Sequence, residues 1–186
     1  MDIMLDLETM GTDPFAPVIA IGAVRFNAGD DRSLASADTF YLPITLESNL
    51  AVGLKCSAST IKWWLTNPEI TPEARAIFTD PGAVPLPNAL DAFTDWYNSS
   101  EDTVWGNSAR VDLGLLSAAY AACGKTVPWL HWNEGCYRTM KNLPAAKHLK
   151  LVRSGTHHNA LDDALSQAHH LCAIVKHLSL YQPKEA

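Results

Sequence analysis

Asp2-Ile3-Met4-Leu5-Asp6-Leu7-Glu8-Thr9-Met10-Gly11 opens the chain as an apolar run carrying two carboxylates, Asp6 and Glu8, two residues apart. Side chains alternate faces along a strand, so a strand here directs Asp6 and Glu8 to one face, roughly 7 Å apart along the chain. Ile3, Leu5 and Leu7 take the other face. Two like charges at the end of a core strand repel each other and resist desolvation, and they need a compensating cation. Hard carboxylate oxygens suit Mg²⁺ or Mn²⁺.

Outward from that run, Asp13-Pro14 and Pro17 mark a turn, and Val18 to Phe26 reads as a second strand turned back by Ala28-Gly29-Asp30-Asp31. Thr39 to Leu46 supplies a third, so the chain is expected to open as a three-stranded antiparallel meander. Ser59 is placed to cap a helix carrying Ile61, Trp64 and Leu65 at helical spacing, with Trp64 inward and Trp63 nearer the surface. Ala89 to Tyr97 forms an amphipathic helix, Thr103-Val104-Trp105-Gly106 a short strand, and a further helix runs from about Asp112 to Cys123. Tyr137 to Leu143 begins a short helix and Asn159 to Leu178 a long one. Strands first, then helix and strand in alternation, predict an α/β protein with a mixed sheet covered by helices.

The 186 residues show no repeat, low-complexity tract or linker, and one domain over 1–186 is expected. No stretch approaches the roughly 18 continuous apolar residues of a membrane span, and no signal segment is present, so no membrane association and a cytoplasmic location are expected. Cys56, Cys123, Cys136 and Cys172 lack C-x-x-C spacing and read as reduced thiols rather than disulfides or zinc ligands. The formal charge of −6 runs against the basic footprint of most nucleic-acid binders. Clustered carboxylates holding divalent ions would offset much of it, so the charge leaves the partner open.

A second acidic signal lies in Trp105-Gly106-Asn107-Ser108-Ala109-Arg110-Val111-Asp112. With Asp112 starting a helix, Leu116, Ala119 and Cys123 follow at helical spacing and put Asp112 on the buried stripe. A first-turn acid also complements the helix dipole, but beside an Asp-x-Glu strand the metal-binding reading takes precedence. The third signal is His157-His158-Asn159-Ala160-Leu161-Asp162-Asp163-Ala164. His157 to Asp162 and His158 to Asp163 are both five residues apart. Both aspartates lie just beyond the edges of the apolar arc, so periodicity does not choose between them. With Asn159 as N-cap, Asp162 takes the third helical position, where a carboxylate favours the helix N-terminus. Asp163 is left as the better metal candidate.

Asp6-x-Glu8, Asp112 and His158-x-Ala160-x-x-Asp163, in that order, resemble the three motifs of the DEDDh, or DnaQ-like, 3′–5′ exonuclease superfamily. The third motif has a small residue two after its histidine; Ala160 supplies it in the His158 register, whereas the other register places Asn159 there. The opening run, Trp63-Trp64, Trp105-Gly106-Asn107 and Cys136-Tyr137-Arg138-Thr139-Met140-Lys141 are also similar to small phage-type exonucleases and to the RNase AS-like 3′–5′ exoribonuclease family. The resemblance implies an RNase H-like fold, a five-stranded mixed sheet flanked by helices. It implies that Asp6, Glu8, Asp112 and Asp163 bind two divalent ions, Mg²⁺ or Mn²⁺, about 4 Å apart, and that His158 accepts the proton of the attacking water. The implied reaction releases nucleoside 5′-monophosphates from the 3′ end of single-stranded DNA or RNA. Recognition of a 2′-hydroxyl would decide between the two sugars. The alternative is a non-catalytic nucleic-acid-binding or protein-interaction module on the same fold; such a module is expected to have lost one of the five residues, and all five are present.

The resemblance also implies a terminal nucleotide beside the end of the first strand, with Thr9, Met10 and Gly11 offering backbone donors and an apolar wall. Trp63 is a candidate to stack a base, worth about 1–3 kcal/mol, or to join Pro128 to Trp132 in a homodimer interface. Arg138, with Arg110 and Lys141, is a candidate for phosphate contact or an ordinary surface cation. His157, His169, His170 and His177 read as solvated or packing residues.

Overall fold

β1 (Asp2–Thr9) is the middle strand of a five-stranded sheet of order β3-β2-β1-β4-β5 in a computed structural model. The structure describes residues 1–99 and 101–179; residue 100 and residues 180–186, the end of the expected domain, lie outside it. β2 (Val18–Phe26) and β3 (Asp38–Pro43) run antiparallel on one side of β1, forming the meander read from the sequence. β4 (Thr103–Gly106) and β5 (Glu134–Cys136) run parallel on the other side. Parallel pairing needs crossover connections; α4 (Leu86–Tyr97) lies on the crossover before β4 and α5 (Gly114–Ala122) on the one before β5. The shorter helices are α1 (Leu46–Ala51), α2 (Ala58–Thr66), α3 (Pro72–Arg75) and α6 (Tyr137–Lys141), and α7 (Ala160–His177) closes the order. This is the five-stranded mixed sheet flanked by helices that the sequence pattern and its resemblance lead one to expect.

Alternation along β1 divides the core. Ile3, Leu5 and Leu7 pack with Leu90 and Phe93 of α4 and Leu116 of α5. Met4 packs on the opposite side with Ala164, Ala168 and Leu171 of α7. Asp6 and Glu8 therefore share the face covered by α7. Ile3, Met4 and Leu5 have no solvent exposure; at about 1.5–3 kcal/mol for each such side chain, burial on both faces holds β1 in register despite the charges at its end.

Several local expectations are corrected. The third strand stops at Pro43 rather than Leu46: Ile44 still donates its N–H to the Ile19 carbonyl of β2 at 2.8 Å but bridges Val84, and Leu46 begins α1. Ser57, not Ser59, precedes α2, and the two hydroxyls bond each other at 2.7 Å. Ile61 and Leu65 are exposed, so α2 is seated by Trp64, which is buried with Met10, Ile19 and Ile70. The Trp64 indole N–H donates to the Thr9 carbonyl at 3.1 Å, which fixes α2 at the end of β1. Asp112 does not begin α5. It sits within a single π-helical turn, Ala109–Leu113, that precedes it, a rare geometry that gathers at functional sites. No helix among the described residues is long and apolar enough to cross a membrane.

Candidate active site

Asp6 lies opposite Gly22 and Glu8 opposite Ala20 in the β1–β2 ladder, so the face beside the carboxylates is lined by the smallest side chains. A Cβ on Gly22 would come within 2.2 Å of the Ala160 carbonyl carbon. Glycine at this point lets the first turn of α7 rest directly on β2. Asn159 caps that turn, its Oδ1 accepting from the backbone N–H groups of Leu161 at 3.1 Å and Asp162 at 3.2 Å. Asp163 is thereby carried over the end of β1. Ligand oxygens of Asp6, Glu8 and Asp163 all lie within 4.8 Å of one another. Asp112 enters the same cleft, about 240 Å³ in volume, from the π-helical turn, where its Oδ2 accepts the Ser108 N–H at 2.7 Å.

His158 joins from the loop before α7 with a φ of 64°, an uncommon conformation for a residue with a side chain. Its backbone N–H donates to Asp163 Oδ2 at 3.0 Å. The imidazole stands edge-on to the Trp63 ring at 4.9 Å and stacks on His157 at 3.7 Å. Asp6, Glu8, Asp112, His158 and Asp163 thus all line one cleft.

Burial drives the Asp6 and Glu8 carboxyls well above the ordinary range. Asp112 and Asp163 push Asp6 further, and Asp6 does the same to Glu8. Burial lifts Asp112 to about 6 against the pull of the Ser108 N–H. Other buried carboxylates differ in having full donor sets: Asp2 accepts from the Ala28 N–H and the Trp105 indole, Asp102 from the terminal ammonium and Arg25. At the cluster compensation is incomplete. Gln167 Nε2 donates to Asp6 Oδ1 at 2.8 Å, and Arg153 pairs with Asp163. Gln167 Oε1 is buried with no partner among the described residues. Convergent carboxylates with an orphaned amide oxygen form an all-oxygen donor set, which fits hard divalent cations. Burial lowers the His158 pKa, and His157 lowers it further, against the opposing pull of Asp163. The ring is therefore neutral near pH 7, the form that accepts a proton.

A second hollow of about 440 Å³ adjoins this cleft through Glu8 and is lined by Thr9, Gly11, Ser59, Thr60, Trp63 and Trp64. Three of the expected nucleotide contacts, Thr9, Gly11 and Trp63, are in its wall. Met10 is not brought there: its side chain is core, its N–H is donated to the Pro17 carbonyl, and its carbonyl accepts from Ser57. Met10 holds the turn to α2 instead. Arg138 lines the carboxylate cleft, Arg110 is exposed, and Lys141 is drawn to Asn107 Oδ1 and the Tyr137 ring. Trp132 is exposed whereas Trp129 is buried and bonded to Glu134. His170 is a packing residue, its Nδ1 2.6 Å from the Tyr137 hydroxyl, but His157 lines the cleft. Sequence reasoning passed over Gln167 and Arg153. Gln167 stands four residues after Asp163, on the same helix face, and that spacing was the available signal; Arg153 carries none beyond the turn-forming Ser154-Gly155 that follows it.

Solved structures share this fold. The nuclease domain of 3′hExo, a DEDDh family member bound to rAMP, matches with a TM-score of 0.62 at 16% identity, over 94% of this chain and 90% of that one. E. coli Exonuclease I in complex with a dT13 oligonucleotide matches with a TM-score of 0.65 at 14% identity, over 97% of this chain. The match covers 42% of Exonuclease I, so this chain spans less than half the length of that enzyme. Cell-death related nuclease 4 matches with a TM-score of 0.52 at 12% identity, over 93% of this chain and 62% of that one. No curated protein matches significantly by sequence. The model of the 3′-5′ exoribonuclease Rv2179c-like domain matches residues 1–175, so the chain belongs to that family of 3′–5′ exonucleases.

Proposed function

We propose that the chain removes nucleotides one at a time from the 3′ end of single-stranded nucleic acid, with RNA as the principal substrate, by two-metal hydrolysis. The observation that carries this reading is a set of buried, incompletely compensated carboxylates converging beside a neutral histidine. RNA follows from the description of the family; the DNA-bound relative, Exonuclease I, is the reason to test both sugars.

Asp6, Glu8, Asp112 and Asp163 would hold two divalent ions, Mg²⁺ or Mn²⁺. Such ions, when bound, supply Lewis-acid activation of water and stabilise the leaving 3′-oxygen. His158 takes the proton of the attacking water at a ring nitrogen, water oxygen bonds to phosphorus, the P–O3′ bond breaks, and a nucleoside 5′-monophosphate is released. Trp63, with Thr9 and Gly11, receives the terminal nucleoside in the hollow beside Glu8, where an aromatic face accepts any base. Arg138 pairs with a phosphate at the cleft. The test gives purified protein 5′-labelled RNA and DNA oligonucleotides with Mg²⁺, Mn²⁺ or EDTA. Laddering from the 3′ end of RNA, faster than of DNA and abolished by EDTA, is expected. Absence of laddering on both substrates refutes the reading, and equal rates refute the RNA preference.

A further inference from the structure

Arg153 lies outside the DEDDh motifs, yet its guanidinium is ion-paired to Asp163 and lines the carboxylate cleft. The loop that carries it is fastened to the first turns of α7. Ser154 N–H donates to Ser166 Oγ at 3.1 Å, and Thr156 N–H donates to Asp162 Oδ2 at 2.7 Å. Ser166 Oγ in turn donates to the Asp162 carbonyl at 2.8 Å. Gly155 between them has a φ of 74°, and a Cβ there would meet the Asp162 carboxyl carbon at 2.3 Å. Asp162, the aspartate beside the motif residue, thus serves as the anchor of this loop. The backbone of Arg153 is fixed near Asp163, while its side chain stays 47% exposed, within reach of a ligand entering from solvent.

We infer that Arg153 is a substrate-phosphate contact, held on Asp163 while the cluster lacks cations and turned onto a phosphate of the bound strand when cations take up the charge of Asp163. The inference rests on the exonuclease reading above. A guanidinium is always charged, and its planar fork of N–H donors matches carboxylate and phosphate oxygens alike. One anchored side chain can therefore exchange one acceptor for the other. Cations at the carboxylates weaken the ion pair to Asp163, and the entering phosphate becomes the anion within reach. Arg138 lines the same cleft and pulls against the burial that raises Asp112. Arg153 adds a second cation on the Asp163 side of the same cleft.

The exchange gives two readouts of opposite sign. Arg153→Gln removes a cation that competes for Asp163, so divalent ions bind more tightly while phosphate binding weakens. A purely structural role would weaken both. Calorimetric titration of Mn²⁺ into the wild-type chain, R153Q and R153K, followed by AMP titration at saturating Mn²⁺, separates the two. R153Q is expected to bind Mn²⁺ several-fold more tightly and AMP about 10- to 100-fold more weakly, the range of one lost charge-assisted hydrogen bond. R153K keeps the charge without the fork; its Mn²⁺ affinity should stay near wild type while AMP binding falls, which decides the matter if R153Q misfolds. Unchanged or weaker Mn²⁺ binding by R153Q, or unchanged AMP binding by either variant, overturns the inference. Both titrations read binding alone. They remain decisive if the wild-type chain trims no oligonucleotide, an outcome that would instead overturn the exonuclease reading.

Discussion

Stripping divalent ions from the protein should make it more stable on mild acidification, the reverse of ordinary acid denaturation. Asp6, Glu8 and Asp112 all have folded pKa values raised by burial. Over the window between the unfolded and folded values, the folded protein binds protons that the unfolded chain has released, so stability falls as pH rises. Asp112 moves from 3.8 to about 6, a penalty of about 3 kcal/mol once pH is well above the folded value. Going from about pH 7.5 to about pH 5 relieves roughly 1 kcal/mol of it. At about 2–4 °C per kcal/mol for a chain of this size, Asp112 alone raises the melting temperature by about 3 °C. Asp6 and Glu8 act in the same direction. His158 and His170 act in the opposite one, because their lowered folded values make protonation unfavourable in the folded state. Asp112→Asn isolates the carboxyl: melting curves in EDTA should show a rise on acidification for wild type that is smaller by about 3 °C in the variant. Mg²⁺ at about pH 7.5 should raise the wild-type melting temperature by neutralising the same charges. Identical pH dependence in wild type and Asp112→Asn, or no effect of Mg²⁺, would refute the electrostatic account.

Three further outcomes follow from the same geometry. His158→Ala should retain Mn²⁺ binding in calorimetry but lose about 10²- to 10⁴-fold in kcat; because the folded pKa of His158 is lowered, the acid limb that it imposes on the wild-type rate should lie below about pH 6.5, and a limb above neutrality contradicts this. Gly22→Ala should displace α7 from β2, costing about 1–3 kcal/mol by denaturant melting and about 100-fold in activity through misplacement of Asp163 and His158; unchanged activity would mean that the close approach is not needed. Gln167→Leu should weaken Mn²⁺ binding about 10- to 100-fold with little change in melting temperature in EDTA, whereas unchanged Mn²⁺ affinity would reduce the Asp6 contact to packing.

The readable parts of the site were those governed by one element's own periodicity. Alternation in 2–8 placed Ile3, Leu5 and Leu7 against Asp6 and Glu8, and the two faces of β1 do meet different helices. Asn159 was legible as an N-cap because capping is settled within three residues. Features that depend on what lies opposite were not legible. Ile61 and Leu65 have helical spacing suited to burial, yet little packs over them, and α2 is held by Trp64. Met10 follows Thr9 directly at the end of β1, but its backbone is already committed to Pro17 and Ser57. The π-helical turn at Asp112 has no sequence period to announce it.

The glycines show most directly that the rest of the site depends on contacts between distant parts of the chain. A glycine inside a strand signals close backbone approach, so Gly22 could be marked as significant, but its partner, Ala160, lies on the last helix. Gly155 marks a turn, but the group occupying the space of its absent side chain is the Asp162 carboxylate, which sequence reasoning assigned wholly to the helix terminus. These two approaches bring Asp163, His158 and Arg153 to the end of β1. They also bear on the net charge of −6 in a protein whose family acts on a polyanion. The carboxylates of Asp6, Glu8, Asp112 and Asp163 are gathered in one cleft, which Arg138 and Arg153 also line. With divalent ions held there as proposed, an entering strand would meet a local field set by ions and arginines rather than by the formal sum, since exposed charges farther than about 8–10 Å away are largely screened at physiological salt.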